Sequence, residues 1–202
     1  MMKEVLLTII RNKKTDRQNF RLATNQIAYI LANEAAQLLP TNLIKIRTEW
    51  TQTDGVIFQK NPILIVIWRA GLALLPAFLN YFSQASVGFI GLKREEITAQ
   101  AKLYYLNLPN IAQDQKIIIL DPTLATGGSA QKTLKILEEK GLKQENIIFV
   151  SILCSNQGLS KIKQEFPRVT FISCAIDPEL NAQKFIVPGF GDFGDRYFGT
   201  EP

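Results

Sequence analysis

The spacing of apolar residues changes several times along this chain, and each change marks an element. Phe20, Ala23, Ile27, Ile30, Leu31, Ala35 and Leu38 recur at threes and fours, the stripe of an amphipathic helix that ends near Pro40. Thr15 and Gln18 have the form of a capping box, which predicts that this helix begins at Thr15. Between 44 and 58 the pattern becomes an alternation of Ile44, Ile46, Thr48 and Trp50, then Val56 and Phe58. That predicts a hairpin turning at 51–55. A two-stranded hairpin is marginal alone, so Trp50 and its neighbours should pack on the body or on a second subunit.

After Pro62 the units become regular. Strand-like runs at 63–68, 87–92, 117–120, 147–153 and 169–175 are interleaved with helix-like runs at 72–81, 130–140 and 156–166, and Gly141 stands where a helix terminates. The predicted fold class is α/β, with a mostly parallel central sheet flanked by helices and ligands bound at the carboxyl ends of its strands. One domain over 1–202 suits this length: a helix and hairpin arm to residue 60, a core sheet over 61–180 and a tail from 181.

Composition then removes whole classes of chemistry. The chain has no histidine, which excludes a His-activated nucleophile and most zinc catalysis. Cys154 and Cys174 each close an apolar run and read as reduced core residues. No run is apolar enough to span a membrane, and the first ten residues lack a secretory signal, so the expected location is cytoplasmic. The net charge of +5 is mild, and the basic cluster Arg11, Asn12, Lys13 and Lys14 reads as a solvated turn, so nucleic acid is not an expected partner.

The densest chemistry follows the run Ile117, Ile118, Ile119, Leu120. Asp121 and Pro122 end that strand, and Thr123, Leu124, Ala125, Thr126, Gly127, Gly128 and Ser129 lead into a helix. Main-chain amides bared by glycine, two hydroxyls and a helix N-terminus make a cradle for a phosphate. It is not a Walker loop, because Gly128 stands where that motif needs lysine; a sugar phosphate is the better ligand.

Other blocks fall at or after strand ends: Arg69, Ala70, Gly71, and Lys93, Arg94, Glu95, Glu96, the latter opening a lid-like connection with an edge strand at Tyr104 and Tyr105. The tail from Phe185 to Thr200 contains a false dinucleotide motif in Gly189, Gly191 and Gly194, with too little chain after it for the fold that motif requires. Its glycines and Asp192 suit a tight loop that reads a small planar ligand through main-chain groups.

Residues 121–129 resemble the 5-phosphoribosyl 1-diphosphate (PRPP) loop of type I phosphoribosyltransferases, and the proline after a single aspartate is similar to the uracil phosphoribosyltransferase version. With the tail at 186–200 and the blocks at 69–71 and 94–108, the likeness runs from about Leu6 to Thr200. It implies a phosphoribosyltransferase-like fold with a hairpin arm and a C-terminal base-binding loop, and an enzyme making UMP and diphosphate from uracil and PRPP. It further implies that Arg69 and Arg94 contact diphosphate, that 121–129 hold the ribose and 5-phosphate, and that Ile186, Gly191, Asp192 and Phe193 seat uracil. Asp121, Arg94 and Asp192 are the implied catalytic residues, with Asp192 also near the sugar donor. Mg²⁺ would be bound mainly through the diphosphate, with no metal site of the protein's own, and a homodimer or higher homo-oligomer is expected. Glu95 and Ile97 depart from the family's lid block, which bears on activity level more than on ligand identity. Two other readings use the same residues: a non-catalytic regulator that senses PRPP or UMP and binds RNA, and a structural dimer with a decayed site. A complete base pocket and the lack of a basic face speak against the regulator, and only Glu95 and Ile97 speak for the decayed dimer.

Overall fold

The computed structural model describes residues 1–94 and 101–200, and of Arg94 the main chain. Helix α1 (Met2–Arg11) precedes α2 (Arg17–Ala36), and strands β1 (Thr41–Arg47) and β2 (Gln52–Phe58) form an antiparallel hairpin. Strand β3 (Ile63–Trp68) leads through a 3-10 turn at Ala70–Ala73 into α3 (Leu75–Tyr81), followed by β4 (Ser86–Arg94) and β5 (Ala101–Asn107). Next come β6 (Ile117–Leu120), β7 (Thr123–Leu124), α4 (Gly128–Glu139), β8 (Ile147–Val150), β9 (Leu153–Ser155) and α5 (Asn156–Glu165). The chain closes with β10 (Thr170–Ile172), β11 (Ala175–Asp177), β12 (Glu179–Leu180), β13 (Ile186–Val187) and α6 (Phe193–Phe198).

The main sheet has the order β10-β8-β6-β3-β4-β5, parallel throughout except for β5, which runs antiparallel along the edge beside β4. Period-two burial splits its side chains between two cores. Leu64, Val66, Ile118, Leu120, Ile148 and Val150 face α1, α2 and α3, whereas Ile63, Ile65, Ile117, Ile119 and Phe149 face α4 and α5. A parallel sheet buried on both faces explains why β3 and β6 read as unbroken apolar runs.

Four expectations are corrected. The cap of α2 is Asp16, whose carboxylate accepts from the Asn19 amide at 2.8 Å, while the Thr15 hydroxyl donates to the Ile9 carbonyl. The hairpin turns at 48–51, where Thr48 exchanges main-chain and side-chain bonds with Thr51; Gly55 lies inside β2 opposite Ile44. The helix predicted from 72 begins only at Leu75, because Pro76 lacks the N–H that a helical turn through 72–76 requires. The runs 147–153 and 169–175 are each two strands. Pro122 interrupts their neighbour, its carbonyl accepts from both the Ile152 and Leu153 amides, and pairing resumes as a small sheet β11-β9-β7. Helix α1, over residues read only for a signal peptide, was not foreseen; it buries Leu6, Leu7 and Ile10.

Other readings hold. Tyr104 and Tyr105 lie on the edge strand β5, and Tyr105 stacks on Trp68 with ring centroids 4.8 Å apart. Gly141 follows α4 with φ +80°, a left-handed terminator. Cys154 and Cys174 are free thiols that burial pushes up to about 11 and about 12.

Candidate active site

The carboxyl ends of the parallel strands converge on one side of the sheet. Leu120 ends β6 and Asp121 follows, 8% exposed, with its main-chain amide bonded to the Val150 carbonyl and its own carbonyl accepting from the Ser151 hydroxyl at 2.7 Å. Burial raises the Asp121 carboxyl from 3.8 to about 7, offset only slightly by the Thr123 amide 3.5 Å away. Such a group is held ready to accept hydrogen bonds from a ligand's hydroxyls.

Asp121 and residues 123–130 then line a cavity of about 100 Å³. Gly127 adopts φ +79°, and a Cβ there would meet Ile162 at 2.7 Å, so both the turn and the packing demand glycine. A Cβ on Gly128 would meet nothing closer than the Thr126 hydroxyl at 3.6 Å. The protein itself leaves that space open, as a cradle does for an anion. The N-cap Gly127 has no side chain to cap α4, and the Gly128 amide makes only a long bond to the Thr126 hydroxyl at 3.4 Å, so the first turn offers amides to a phosphate. Leu124 and Pro122 are buried, and only their main chain is left to serve the loop.

A second cavity, of about 210 Å³, has Ile186, Gly191, Asp192 and Phe193 on one side and Ala70, Thr123 and Ala125 on the other. Thr123 and Ala125 thus belong to both cavities. The strand-end nest and the glycine-rich tail therefore meet at these two residues. Asp192 also caps α6 by accepting from the Asp195 amide at 2.9 Å, which fixes its carboxylate at the cavity wall. Phe193 is held by stacking on Tyr197, centroids 5.6 Å apart. Arg69 is exposed immediately after β3; its carbonyl accepts from the Leu72 amide at 3.1 Å, while its guanidinium has no hydrogen-bond or ion-pair partner among the described residues. The main chain of Arg94 ends β4; its side chain, and Glu95, Glu96 and Ile97, lie outside the described residues.

Three features of the site escape a reading of the sequence. Ser155 donates to the Ala125 carbonyl at 2.5 Å and accepts from the Gly158 amide, so it buttresses the nest while capping α5. With Ser151 it forms a polar pair four residues apart in an apolar stretch, the one signal that could have marked it. Lys184, at φ +68°, lies beside the second cavity. Arg11, expected in a solvated turn, instead grips the buried Asp177 with both terminal nitrogens, at 2.6 and 2.7 Å.

A family model for uracil phosphoribosyltransferase matches residues 2–200. The chain belongs to the uracil phosphoribosyltransferase family. Within it, the chain is 41% identical to uracil phosphoribosyltransferase 2 of Schizosaccharomyces pombe, over 96% of this chain and 90% of that protein. It is 39% identical to uracil phosphoribosyltransferase of Campylobacter concisus, over 96% and 92%. Among solved structures, the AQ2163 protein of Aquifex aeolicus superposes with a TM-score of 0.88 at 30% identity, covering 99% of this chain and 95% of that one. Orotate phosphoribosyltransferase of Aeropyrum pernix, at 14% identity and a TM-score of 0.53, shares the fold.

Proposed function

We propose that this family member transfers the 5-phosphoribosyl group of PRPP to N1 of uracil, releasing diphosphate and forming UMP. The observation that carries this reading is the pair of adjoining cavities with Thr123 and Ala125 in common, one shaped for a phosphate and one for a small planar base. The amides and hydroxyls of 126–129 hold the 5-phosphate, and Asp121 accepts from the ribose hydroxyls. Arg69 and Arg94 grip the diphosphate, and Ile186 with 191–193 presents uracil to carbon 1, with Asp192 near the sugar. The bond from carbon 1 to diphosphate breaks as the bond to N1 forms, and the N1 proton leaves to solvent. Positive charge builds on the ribose, so the protein need only align the partners and exclude water. No side-chain nucleophile is involved.

Among the described residues no group of three or more His, Cys, Asp or Glu could hold a metal ion, and Asp121 and Asp192 are the carboxylates at the two cavities. That donor set fits Mg²⁺ coordinated mainly by diphosphate oxygens and water, with at most one carboxylate added. When bound, the ion neutralises the leaving group. No helix among the described residues is long and apolar enough to cross a membrane. The exposed apolar hairpin supports a homodimer or higher homo-oligomer.

Diphosphate release with uracil, PRPP and Mg²⁺, against cytosine and orotate as controls, tests the reaction. Release with uracil alone is expected. No release with any base would favour the regulator instead.

A further inference from the structure

The tail between β13 and α6 builds one side of the base cavity from main chain, yet it has no regular structure of its own. Its other side faces a hollow of about 450 Å³ bordered by Lys13, Pro188 and Arg196. Phe190, Gly191 and Asp192 line both spaces, so the wall is a single layer of chain. Phe190 packs on Phe20 and Phe193, with ring centroids 6.5 and 5.8 Å away, but Gly189, Gly191 and Asp192 carry no apolar side chain to support the rest of it.

Two guanidinium groups support it. Arg11 closes α1 and binds both carboxylate oxygens of Asp177, while its Nη1 also donates to the Gly189 carbonyl at 2.9 Å. Asp177 in turn accepts from the Gly189 amide at 2.8 Å. Both main-chain groups of Gly189 are therefore held by one ion pair. Gly189 itself is required, since at φ +59° a Cβ would lie 2.0 Å from the Ile186 carbonyl oxygen.

Arg196 holds the next residue. Its Nη1 donates to the carbonyls of Phe190 and Ile10 at 2.7 and 2.5 Å, its Nη2 donates to the Asn12 carbonyl at 2.8 Å, and the guanidinium lies 4.4 Å from the centre of the Phe20 ring. Successive carbonyls of the loop are thus fixed by two different guanidinium forks, each anchored at the carboxyl end of α1. Gly191, Asp192 and Phe193 follow directly.

We infer that Arg11 and Arg196 are positioning residues for the pyrimidine, tying the main chain of the base seat to the end of α1 without themselves reaching the base cavity. This rests on the function proposed above. A seat that reads a planar ligand through main-chain donors and acceptors tolerates displacement of only about 0.5 Å. A lysine ammonium keeps the charge but cannot reproduce a fork shared among several oxygens. The guanidinium shape, rather than the charge, sets the seat.

The test measures steady-state diphosphate release by the full chain and by Arg11→Lys, Arg196→Lys and Asp177→Asn, with Lys13→Ala as a control at the same hollow. The three variants should raise KM for uracil about tenfold, leave KM for PRPP within about twofold, and lower the preference for uracil over cytosine. Lys13→Ala should match the unaltered protein. Thermal midpoints are recorded alongside, because a purely structural role would lower the midpoint without separating the two KM values. An unchanged uracil KM, parallel changes in both KM values, or failure of all three variants to fold would overturn the inference while the proposed reaction stands. Absence of release by the unaltered protein would overturn the reaction, and the positioning role with it.

Discussion

Asp121 carries opposite demands from folding and from ligand binding. Burial lifts its carboxyl to about 7, so the folded chain holds the proton more tightly than the unfolded chain, whose ordinary value is 3.8. The contribution of this group to stability is therefore fullest below about 3.8 and declines as pH rises through about 7. Asp121→Asn abolishes the titration while keeping the shape. At pH 8 its thermal midpoint should exceed that of the unaltered protein, and the gap should close toward pH 4, as followed by circular dichroism. Turnover should nevertheless fall on the order of 100-fold, because an amide offers one acceptor where the ribose needs a carboxylate. Turnover near that of the unaltered protein would remove Asp121 from the proposed mechanism.

The strand-turn-helix unit from β6 to α4 depends on its neighbour, β9. Ser155 secures the Ala125 carbonyl and the first turn of α5 with one hydroxyl. Ser155→Ala should destabilise the protein by about 1–2 kcal/mol in urea titrations, the usual cost of a lost cap and a buried bond. It should also raise KM for PRPP more than KM for uracil; a larger effect on uracil would contradict the assignment of the nest to the phosphate. The nest itself is legible in the sequence because strand, Pro122, glycines and helix each have a local physical signature within thirteen residues. Its buttress is not, since Ser151 and Ser155 act across strands and look locally like interruptions of an apolar run. The same holds for α1, whose three buried residues make too narrow a stripe, and for Arg11, whose partner Asp177 is distant in sequence. The split of 147–153 into β8 and β9 follows from Pro122 on a neighbouring strand, which no pattern inside the split strand records. The α2 stripe, by contrast, is local: Phe20, Ala23, Ile27, Leu31 and Ala35 are all buried, and only Leu38 beyond the helix end turns outward.

At the scale of the molecule, the C-terminal tail and the hairpin arm respond differently to their surroundings. The tail is closed onto α1 through a charged pair. Burial alone would raise Asp177, but the Arg11 hydrogen bond, the Gly189 amide and the Arg11 charge together outweigh it and hold the carboxyl below 3.8. Its stabilising contribution is present above about 3.8 and is lost as pH falls through the lowered folded value. An acid titration should therefore free the tail below about pH 3.8, read as loss of amide-exchange protection at 189–191, and Asp177→Asn should show that loss already at neutral pH. The hairpin is closed onto little within its own chain. Phe58 meets Phe82 at its base, with centroids 5.7 Å apart, but Leu43, Trp50 and Val56 are 77, 88 and 63% exposed. Two strands with that much uncovered apolar surface are marginal in water, and under the proposed self-association a second copy of the chain would supply the cover. Sedimentation of the unaltered protein should give a dimer or larger assembly at micromolar concentration. Leu43→Ser combined with Trp50→Ser should shift it toward monomer, with the sheet's circular dichroism retained. A monomer before substitution, or an assembly indifferent to both changes, would leave the hairpin's apolar face without the self-association proposed for it.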